Sequence, residues 1–185
     1  MGVKSWAVIV GINQYPPAAG QPPLSGAVAD AADFADWALH KDGGAVAPER
    51  LFFWTHPAPA APSAALKAYL KRNPPTPWWD LDNPGMGADF TRAPKVDNVV
   101  QTALGAGMAA AQAAFGGGDD GDERRCYVFF AGHGVQTNVV GAAADTQTCF
   151  VMGDFRPTAA AVIGLIPCED FKRALLTCGF DQVFM

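Results

Sequence analysis

The chain has 185 residues, of which 50% are hydrophobic and 17% are charged, so it can bury one sizeable core and form about one domain. Its net charge of −5 argues against a protein that binds nucleic acid or an anionic membrane surface. No apolar run approaches the ~18 residues of a membrane span, and the first residues lack a signal-peptide pattern. Four cysteines without metal-ligand or disulfide-framework spacing predict a reducing, cytoplasmic compartment.

Three continuous apolar runs predict buried strands. They are residues 6–12 (WAVIVGI), residues 126–131 (CYVFFA) and a run that begins at Val183. Hydrophobicity that is continuous rather than alternating is typical of strands covered on both faces of a parallel sheet. Residues 51–54 and 149–152 are shorter candidate strands.

Amphipathic helices are predicted between these strands. Residues 28–39 place Phe34, Trp37 and Ala38 on one apolar face. Asp97 is the expected N-cap of a second helix, whose apolar face carries Val100, Leu104, Met108, Ala111 and Phe115. Pro167 begins a third helix, and Gly179 follows its end. We therefore expect an α/β fold with a doubly wound, mostly parallel sheet and helices on both faces.

Two segments interrupt this pattern. Residues 56–95 hold eight of the 15 prolines and the pair Trp78-Trp79, which indicates an insertion or long loop with a short helix near residues 63–71. Residues 116–123 (GGGDDGDE) are expected to form a flexible acidic turn, better explained as a solvated loop than as a cation site.

The carboxyl ends of parallel strands are where an open α/β sheet collects its functional groups. Asn13 follows the first strand, and His133 follows the second between Gly132 and Gly134. The flanking glycines permit close approach of a substrate, and histidine titrates near neutrality. His40 and His56 have no such context and are expected at the surface.

The cysteines give weak evidence for a nucleophile. Cys126 and Cys149 belong to predicted buried strands, and Cys178 faces the core from a helix, so all three are expected to be structural. Cys168 lies in a first helical turn, where the helix dipole can lower a thiol pKa, but no local pattern places it at the carboxyl edge.

Asp30 departs from the pattern of its helix, because it falls within the apolar stripe. It is either a first-turn carboxylate that the helix dipole favours or a carboxylate aimed into a pocket for a cationic ligand. Spacing alone leaves these two interpretations even.

Three stretches resemble the caspase-like clan of cysteine peptidases, in its metacaspase and bacterial caspase-homologue branch. Residues 7–13 (AVIVGIN) and 24–31 (LSGAVADA) are similar to that branch's first strand and its L-x-G turn into a helix. Residues 127–134 (YVFFAGHG) resemble the strand that ends in the catalytic S-G-H-G. The third stretch is similar to the elements that precede the family's D-x-C nucleophile segment. It comprises residues 149–154, the helix from Cys168 and the strand from Gln182.

The resemblance implies a caspase-like fold and a cysteine endopeptidase that uses a His/Cys dyad on a protein or peptide substrate. His133 matches the catalytic histidine, and the Gly134 N–H matches one oxyanion-hole donor. Asp30 matches an acidic residue that lines the pocket for the residue before the cleaved bond. Cleavage after Arg or Lys is then expected, because an anionic pocket repels an acidic side chain.

The chain also departs from the family pattern. Ala27, Ala29 and Ala131 replace the Cys, Asn and Ser of the metacaspases, which removes part of the polar pocket lining. Asp145 and Asp154 lie where calcium-dependent relatives carry acidic residues, but two scattered carboxylates do not establish calcium activation, and we expect no cofactor and no metal site.

The expected nucleophile is missing from the four cysteines, none of which matches the family's. It is expected just after Met185, in the strand that begins at Gln182. Residues 1–185 are therefore interpreted as the histidine-bearing N-terminal part of a caspase-like domain, incomplete at the C-terminus and inactive alone. Its partners would be the substrate, the C-terminal remainder of the domain or a regulatory protein.

Two alternatives remain open. A non-catalytic caspase-like module could bind a partner protein through the insertion and its tryptophan pair. A nucleotide-binding Rossmann-like domain is a weak alternative, since residues 11–20 contain two prolines and no G-x-G-x-x-G. The Ala-, Gly- and Pro-rich composition suits a bacterium with a GC-rich genome.

Overall fold

A computed structural model describes residues 2–72, 94–113, 122–138, 146–157 and 162–185. Within these ranges the chain forms seven strands and four α-helices. The strands are Val3–Ile12 (β1), Leu51–His56 (β2), Glu123–Ala131 (β3), Gly134–Asn138 (β4), Thr146–Pro157 (β5), Val162–Pro167 (β6) and Gln182–Phe184 (β7). The helices are Ala27–Leu39 (α1), Ala64–Arg72 (α2), Val96–Ala113 (α3) and Cys168–Cys178 (α4).

The central element is a four-stranded parallel sheet in the order β2-β1-β3-β7. Ala7 of β1 is opposite Leu51 on one side and Tyr127 on the other, and β7 pairs with the outer side of β3. From residue 5 to residue 12 β1 is buried, because it lies between two strands. The predicted α/β class and the parallel strands at residues 6–12, 51–54 and 126–131 are confirmed.

Successive side chains of β1 enter two separate cores, since side chains of a strand alternate between its faces. Ala7 and Ile9 pack with α1 and α2 on one face of the sheet. Val8 and Val10 pack on the other face with side chains of α3 and α4. Helices therefore cover both faces of the sheet, as predicted.

Helix α1 contacts the sheet through small side chains. Its buried residues are Ala27, Val28, Ala31, Ala32, Ala35 and Ala38. Of the predicted apolar face, Ala38 is buried and Phe34 is half-buried against the core, where its ring stacks on Phe129. The prediction is wrong for Trp37, which is 42% exposed. A Cβ on Gly11 would lie 2.6 Å from the Cβ of Ala31, so helix and strand approach too closely for large side chains. Asp30 is consequently exposed and does not lie in a buried stripe.

A second, antiparallel sheet has the order β4-β5-β6. The candidate strand at residues 149–152 is confirmed, but it belongs to this sheet rather than to the parallel one. Cys149 is opposite Val135 of β4 and Pro167 of β6. Phe150 and Val151 join the core formed by β1, α3 and α4, which fixes the second sheet against the first.

Helix α3 begins one residue before its predicted N-cap. Asp97 lies in its first turn, and the Val96 N–H donates to the Asp154 carboxylate at 3.3 Å. The buried residues are Val99, Ala103 and Gly107, one step around the helix from the predicted face, and Met108 is exposed. The reason is close packing on α4, because a Cβ on Gly107 would lie 3.2 Å from that of Cys178. Phe115 lies outside the described residues.

The start of the proline-rich segment is more ordered than the sequence predicted. His56 ends β2 and is only 4% exposed, so its expected surface position is wrong, whereas His40 is exposed as predicted. The short helix is present as α2, which buries Leu66 and Leu70 in the core with α1. Residues 73–93, with the tryptophan pair, lie outside the described residues.

The ends of α4 follow the predicted signals. Pro167 precedes the helix, and Gly179 ends it with φ at 125°, a conformation that favours glycine. A Cβ on Gly179 would also lie 2.7 Å from that of Ala111 on α3. In the part of the chain that the structure describes, no helix is long and apolar enough to cross a membrane.

Substitution of glycine by alanine should have opposite effects on stability at Gly11, where α1 contacts β1, and at Gly105 in α3. Gly11→Ala should lower the free energy of unfolding by ~1–3 kcal/mol, because the new methyl group overlaps Ala31 and the Ala27 carbonyl. Gly105→Ala, in α3 with no atom within 4 Å of the added Cβ, should raise it by up to ~1 kcal/mol. Urea denaturation measures both, and equal effects would contradict the close packing.

Candidate active site

The candidate site lies at the carboxyl edge of the parallel sheet. Because β1 and β3 are neighbours, the loop after Ile12 and the loop after Ala131 meet there. His133 lies in the second loop, directly before β4, as the sequence predicted. Three further segments contact this histidine: Tyr15, Pro22 and β5.

Tyr15 fixes the backbone of the His133 loop. Its buried hydroxyl accepts the His133 N–H at 2.9 Å and donates to the Val151 carbonyl at 3.2 Å. The Tyr15 and His133 rings lie 5.2 Å apart between their centroids. Burial raises the pKa of Tyr15 to about 12, although the His133 N–H acts in the opposite direction. The phenol therefore keeps its proton at neutral pH and can serve both hydrogen bonds.

Gly132 makes room for this arrangement. A Cβ at position 132 would lie 2.6 Å from the Tyr15 hydroxyl oxygen and 2.9 Å from the Phe150 ring. Both distances are shorter than any van der Waals contact, so a larger residue would displace the tyrosine or the phenylalanine. The glycine before His133 is thus required by packing.

The imidazole of His133 is oriented by a main-chain carbonyl. Its Nε2 lies 2.7 Å from the Pro22 carbonyl oxygen. A carbonyl can only accept a hydrogen bond, so Nε2 carries the proton and Nδ1 has the lone pair in the neutral ring. No hydrogen bond engages Nδ1 among the described residues. The site therefore holds a histidine whose basic nitrogen remains available.

The loop that carries Pro22 is itself held by Asn13. The Asn13 N–H donates to the His56 carbonyl at 2.8 Å, and the Asn13 carbonyl accepts the Leu24 N–H at 2.8 Å. Its side-chain oxygen accepts the Val28 N–H at 3.1 Å in the first turn of α1. Asn13, a candidate site residue from its position after β1, acts here by fixing the loop and starting the helix.

The Gly134 N–H points away from β5. The His133 carbonyl accepts the Val151 N–H at 2.9 Å, and the Tyr15 hydroxyl bridges the His133 N–H and the Val151 carbonyl, so these two residues take the position of a hydrogen-bonded pair in the ladder. The next pair, Gly134 with Phe150, is then a non-hydrogen-bonded pair. The Gly134 N–H is therefore directed to the outer edge of β4, where it can donate to a ligand.

Asp30 lies on the first turn of α1, immediately after the loop that carries Pro22. Its side chain is exposed and forms no ion pair with a described residue. No hydrogen bond or ion pair joins it to His133. The structure thus places Asp30 at the same edge of the sheet as the histidine but not in contact with it.

A cavity of about 440 Å³ adjoins the His133 loop on the α4 side of the sheet. Gly132, Gly134, Cys149, Cys168 and Glu169 are among its lining residues. Nothing in the local sequence indicated that Cys168 lies at this edge. The two glycines line the cavity, whereas the imidazole between them is hydrogen-bonded to the Pro22 carbonyl.

None of the four thiols contacts His133. Burial raises the pKa of Cys126 to about 12, as expected for a structural cysteine inside β3. Within the described ranges, no group of three or more His, Cys, Asp or Glu side chains could hold a metal ion. Asp154 caps α3, and Asp145 lies outside the described residues.

Tyr15 and Pro22 are the site residues that sequence reasoning missed. Tyr15 stands two positions after Asn13 in a loop, and no periodicity indicates that its ring is buried. Pro22 acts through its carbonyl, which any residue possesses, so no residue pattern could identify it. Both depend on contacts between segments more than 100 residues apart in the chain.

Comparison with known proteins adds no relative. No protein-family model matches the chain, and no curated protein matches it. The functional assignment therefore depends on the geometry of the site and on the sequence resemblance.

Removal of the Tyr15 hydroxyl should disturb the His133 loop. Tyr15→Phe leaves the His133 N–H and the Val151 carbonyl without their partner, which should lower the free energy of unfolding by ~1–3 kcal/mol. The imidazole resonances of His133 should shift in the NMR spectrum of the folded variant.

The matched control is Tyr69→Phe. The Tyr69 hydroxyl is also buried and donates to the Leu51 carbonyl at 2.5 Å, far from the histidine. This variant should lose similar stability without moving the His133 resonances. Unchanged resonances in Tyr15→Phe would contradict the role assigned to the hydroxyl.

Proposed function

We propose that this chain supplies the general acid/base of a cysteine endopeptidase with a caspase-like fold. The observation that carries the proposal is the orientation of His133 at the carboxyl end of β3. The Pro22 carbonyl binds Nε2–H and leaves Nδ1 to exchange a proton. A base held by a third group in this way is the common arrangement of nucleophilic catalysis. The strand order β2-β1-β3-β7 and the sequence stretches around β1 and β3 agree with this fold.

In the proposed mechanism, Nδ1 of His133 takes the proton of a cysteine thiol and later delivers a proton to the leaving amine. The Pro22 carbonyl stabilises the imidazolium, because its hydrogen bond to Nε2–H becomes charge-assisted. The Gly134 N–H donates to the oxyanion of the tetrahedral intermediate. One such donor typically contributes ~3–4 kcal/mol to the transition state.

The thiol of the dyad is proposed to lie on a segment that follows β7. This strand is the parallel neighbour of β3, so its continuation leads to the edge where His133 lies. Phe184 is opposite Tyr127, and Ala131 lies four residues further along β3. A continued register would reach the carboxyl edge about four residues after Phe184. The 185 residues alone are then inactive.

His133 is tested in the protein made from the complete reading frame, with fluorogenic peptides that carry Arg, Lys or Asp before the cleaved bond. The wild type should cleave the Arg and Lys peptides and lose activity on thiol alkylation. His133→Ala should abolish turnover, because the acid/base is removed, whereas His40→Ala should retain it, because His40 is exposed and distant from the carboxyl edge.

Retained turnover in His133→Ala would overturn the dyad. A wild type that cleaves none of the peptides would remove the peptidase assignment and favour the partner-binding module. The 185-residue chain, assayed alone, should be inactive while it remains folded by circular dichroism.

Asp30 is proposed to attract the basic side chain of the substrate from the first turn of α1. Its exposure limits the expected effect, because exposed charge pairs contribute about 0.2–1 kcal/mol. Asp30→Asn should therefore lower kcat/KM for the Arg and Lys peptides by up to about fivefold. The effect should decrease at high salt.

Asp33→Asn is the matched control for this substitution. Asp33 is likewise exposed and lies on the same helix, one turn further from the loop. The same change of charge there should leave kcat/KM within twofold. Equal effects of the two substitutions would indicate a general field of the helix and would contradict a specific pocket residue.

A further inference from the structure

Two cysteines that the proposed peptidase mechanism does not use line the cavity. Cys149 belongs to β5, and Cys168 is the first residue of α4. Cys149 is opposite Pro167, the residue immediately before Cys168. Opposite residues of an antiparallel pair have Cα atoms ~4.5–5.5 Å apart, and Cys168 is one residue beyond Pro167, so the register brings the two cysteines next to each other. Disulfides span Cα distances of ~4.4–6.8 Å.

The two sulfur atoms share the same surroundings. Both side chains line the cavity beside the His133 loop. Burial raises the pKa of Cys149, and the nearby Cys168 and Asp170 raise it further. Burial also raises the pKa of Cys168. The charge of Glu169 raises this pKa further, whereas the backbone N–H of Phe150 lowers it. The Cys168 sulfur therefore lies against the residue that follows Cys149 on β5.

The other two cysteines lack such a neighbour. Cys126 is fully buried within β3, and Cys178 lies at the opposite end of α4, near Gly107 of α3. All four cysteines are reduced in this structure. Among the described residues, no third metal-ligating side chain is grouped with the cavity pair.

We propose that Cys149 and Cys168 form a redox-active thiol pair that closes to an intramolecular disulfide in the presence of peroxide. This inference is independent of the proposed peptidase activity, because neither its chemistry nor its test involves His133 or a substrate. The disulfide would tie β5 to the start of α4. Since the Val151 N–H on β5 binds the His133 carbonyl, the bond would also stiffen the support of the His133 loop.

Cys168 is the attacking thiol, because it is half-buried while Cys149 is only 1% exposed. The Cys168 thiol must first lose its proton, because burial raises its pKa. The thiolate then attacks hydrogen peroxide: an S–O bond forms, the O–O bond breaks, and the departing hydroxide takes up that proton to become water. The Cys149 sulfur then attacks the Cys168 sulfenic acid. The S–S bond forms, the S–O bond breaks, and the second water leaves with the Cys149 proton. Two thiols are oxidised by two electrons, and one peroxide is reduced to two waters.

The test is oxidation of the folded chain with hydrogen peroxide, followed by alkylation under denaturing conditions and mass spectrometry. Before alkylation, the oxidised wild type should be about 2 Da lighter, the mass of two hydrogen atoms. After alkylation, two of the four cysteines should carry the alkyl group, and one linked peptide pair should contain positions 149 and 168. Cys149→Ser should stop at a Cys168 sulfenic acid that dimedone traps. Cys168→Ser should leave Cys149 reduced, because it lacks the attacking thiol.

Cys178→Ser is the control and should form the same link as the wild type. A link through position 126 or 178, or a link between two molecules, would overturn the proposal. The same holds if both cavity thiols stay reduced in peroxide and also in diamide, a small oxidant that joins neighbouring thiols directly. Should Cys149→Ser fail to fold, the Cys168→Ser and Cys178→Ser variants still decide between these results.

Discussion

The buried hydroxyl of Tyr15 is the contact on which the candidate site depends. It joins the loop after β1 to the His133 N–H and to the Val151 carbonyl, two partners that are 118 and 136 residues away in the chain. A buried donor or acceptor that loses its partner costs about 1–3 kcal/mol, so the phenol secures both the parallel sheet and the antiparallel sheet at this point. The space that Gly132 leaves beside the hydroxyl is part of the same contact.

The packing of the core determines how the imidazole is held. Gly11 lets α1 approach β1, and Asn13 links the end of that strand to the first turn of the helix. The loop between β1 and α1 is therefore fixed at both ends, and it places the Pro22 carbonyl against Nε2 of His133. The orientation of Nε2 of His133 thus depends on the close approach of α1 to β1 at Gly11.

Much of the fold could be predicted from sequence because its signals are local. Apolar runs identified the parallel strands, and Pro167 and Gly179 marked the ends of α4. The errors concern long-range packing: the face of α1 depends on Gly11, and α3 is capped by Asp154 rather than by Asp97. His133 was found from its flanking glycines, whereas Tyr15 and the Pro22 carbonyl could not be, since their roles exist only after the segments meet.

The His133 loop contacts two different groups, the cavity with its two cysteines and the Pro22 carbonyl. Gly132 and Gly134 face the cavity that holds Cys149 and Cys168, while the imidazole between them is directed to the Pro22 carbonyl. A dyad needs its thiol within hydrogen-bond reach of Nδ1, whereas the two cavity thiols contact the carbonyls of Gln147 and Ile166. In the proposed dyad, the thiol would come instead from a segment after β7, the strand next to β3. The cavity pair is proposed to react with itself, and its oxidation would stiffen β5, which supports the His133 loop, without using the thiol of the proposed dyad.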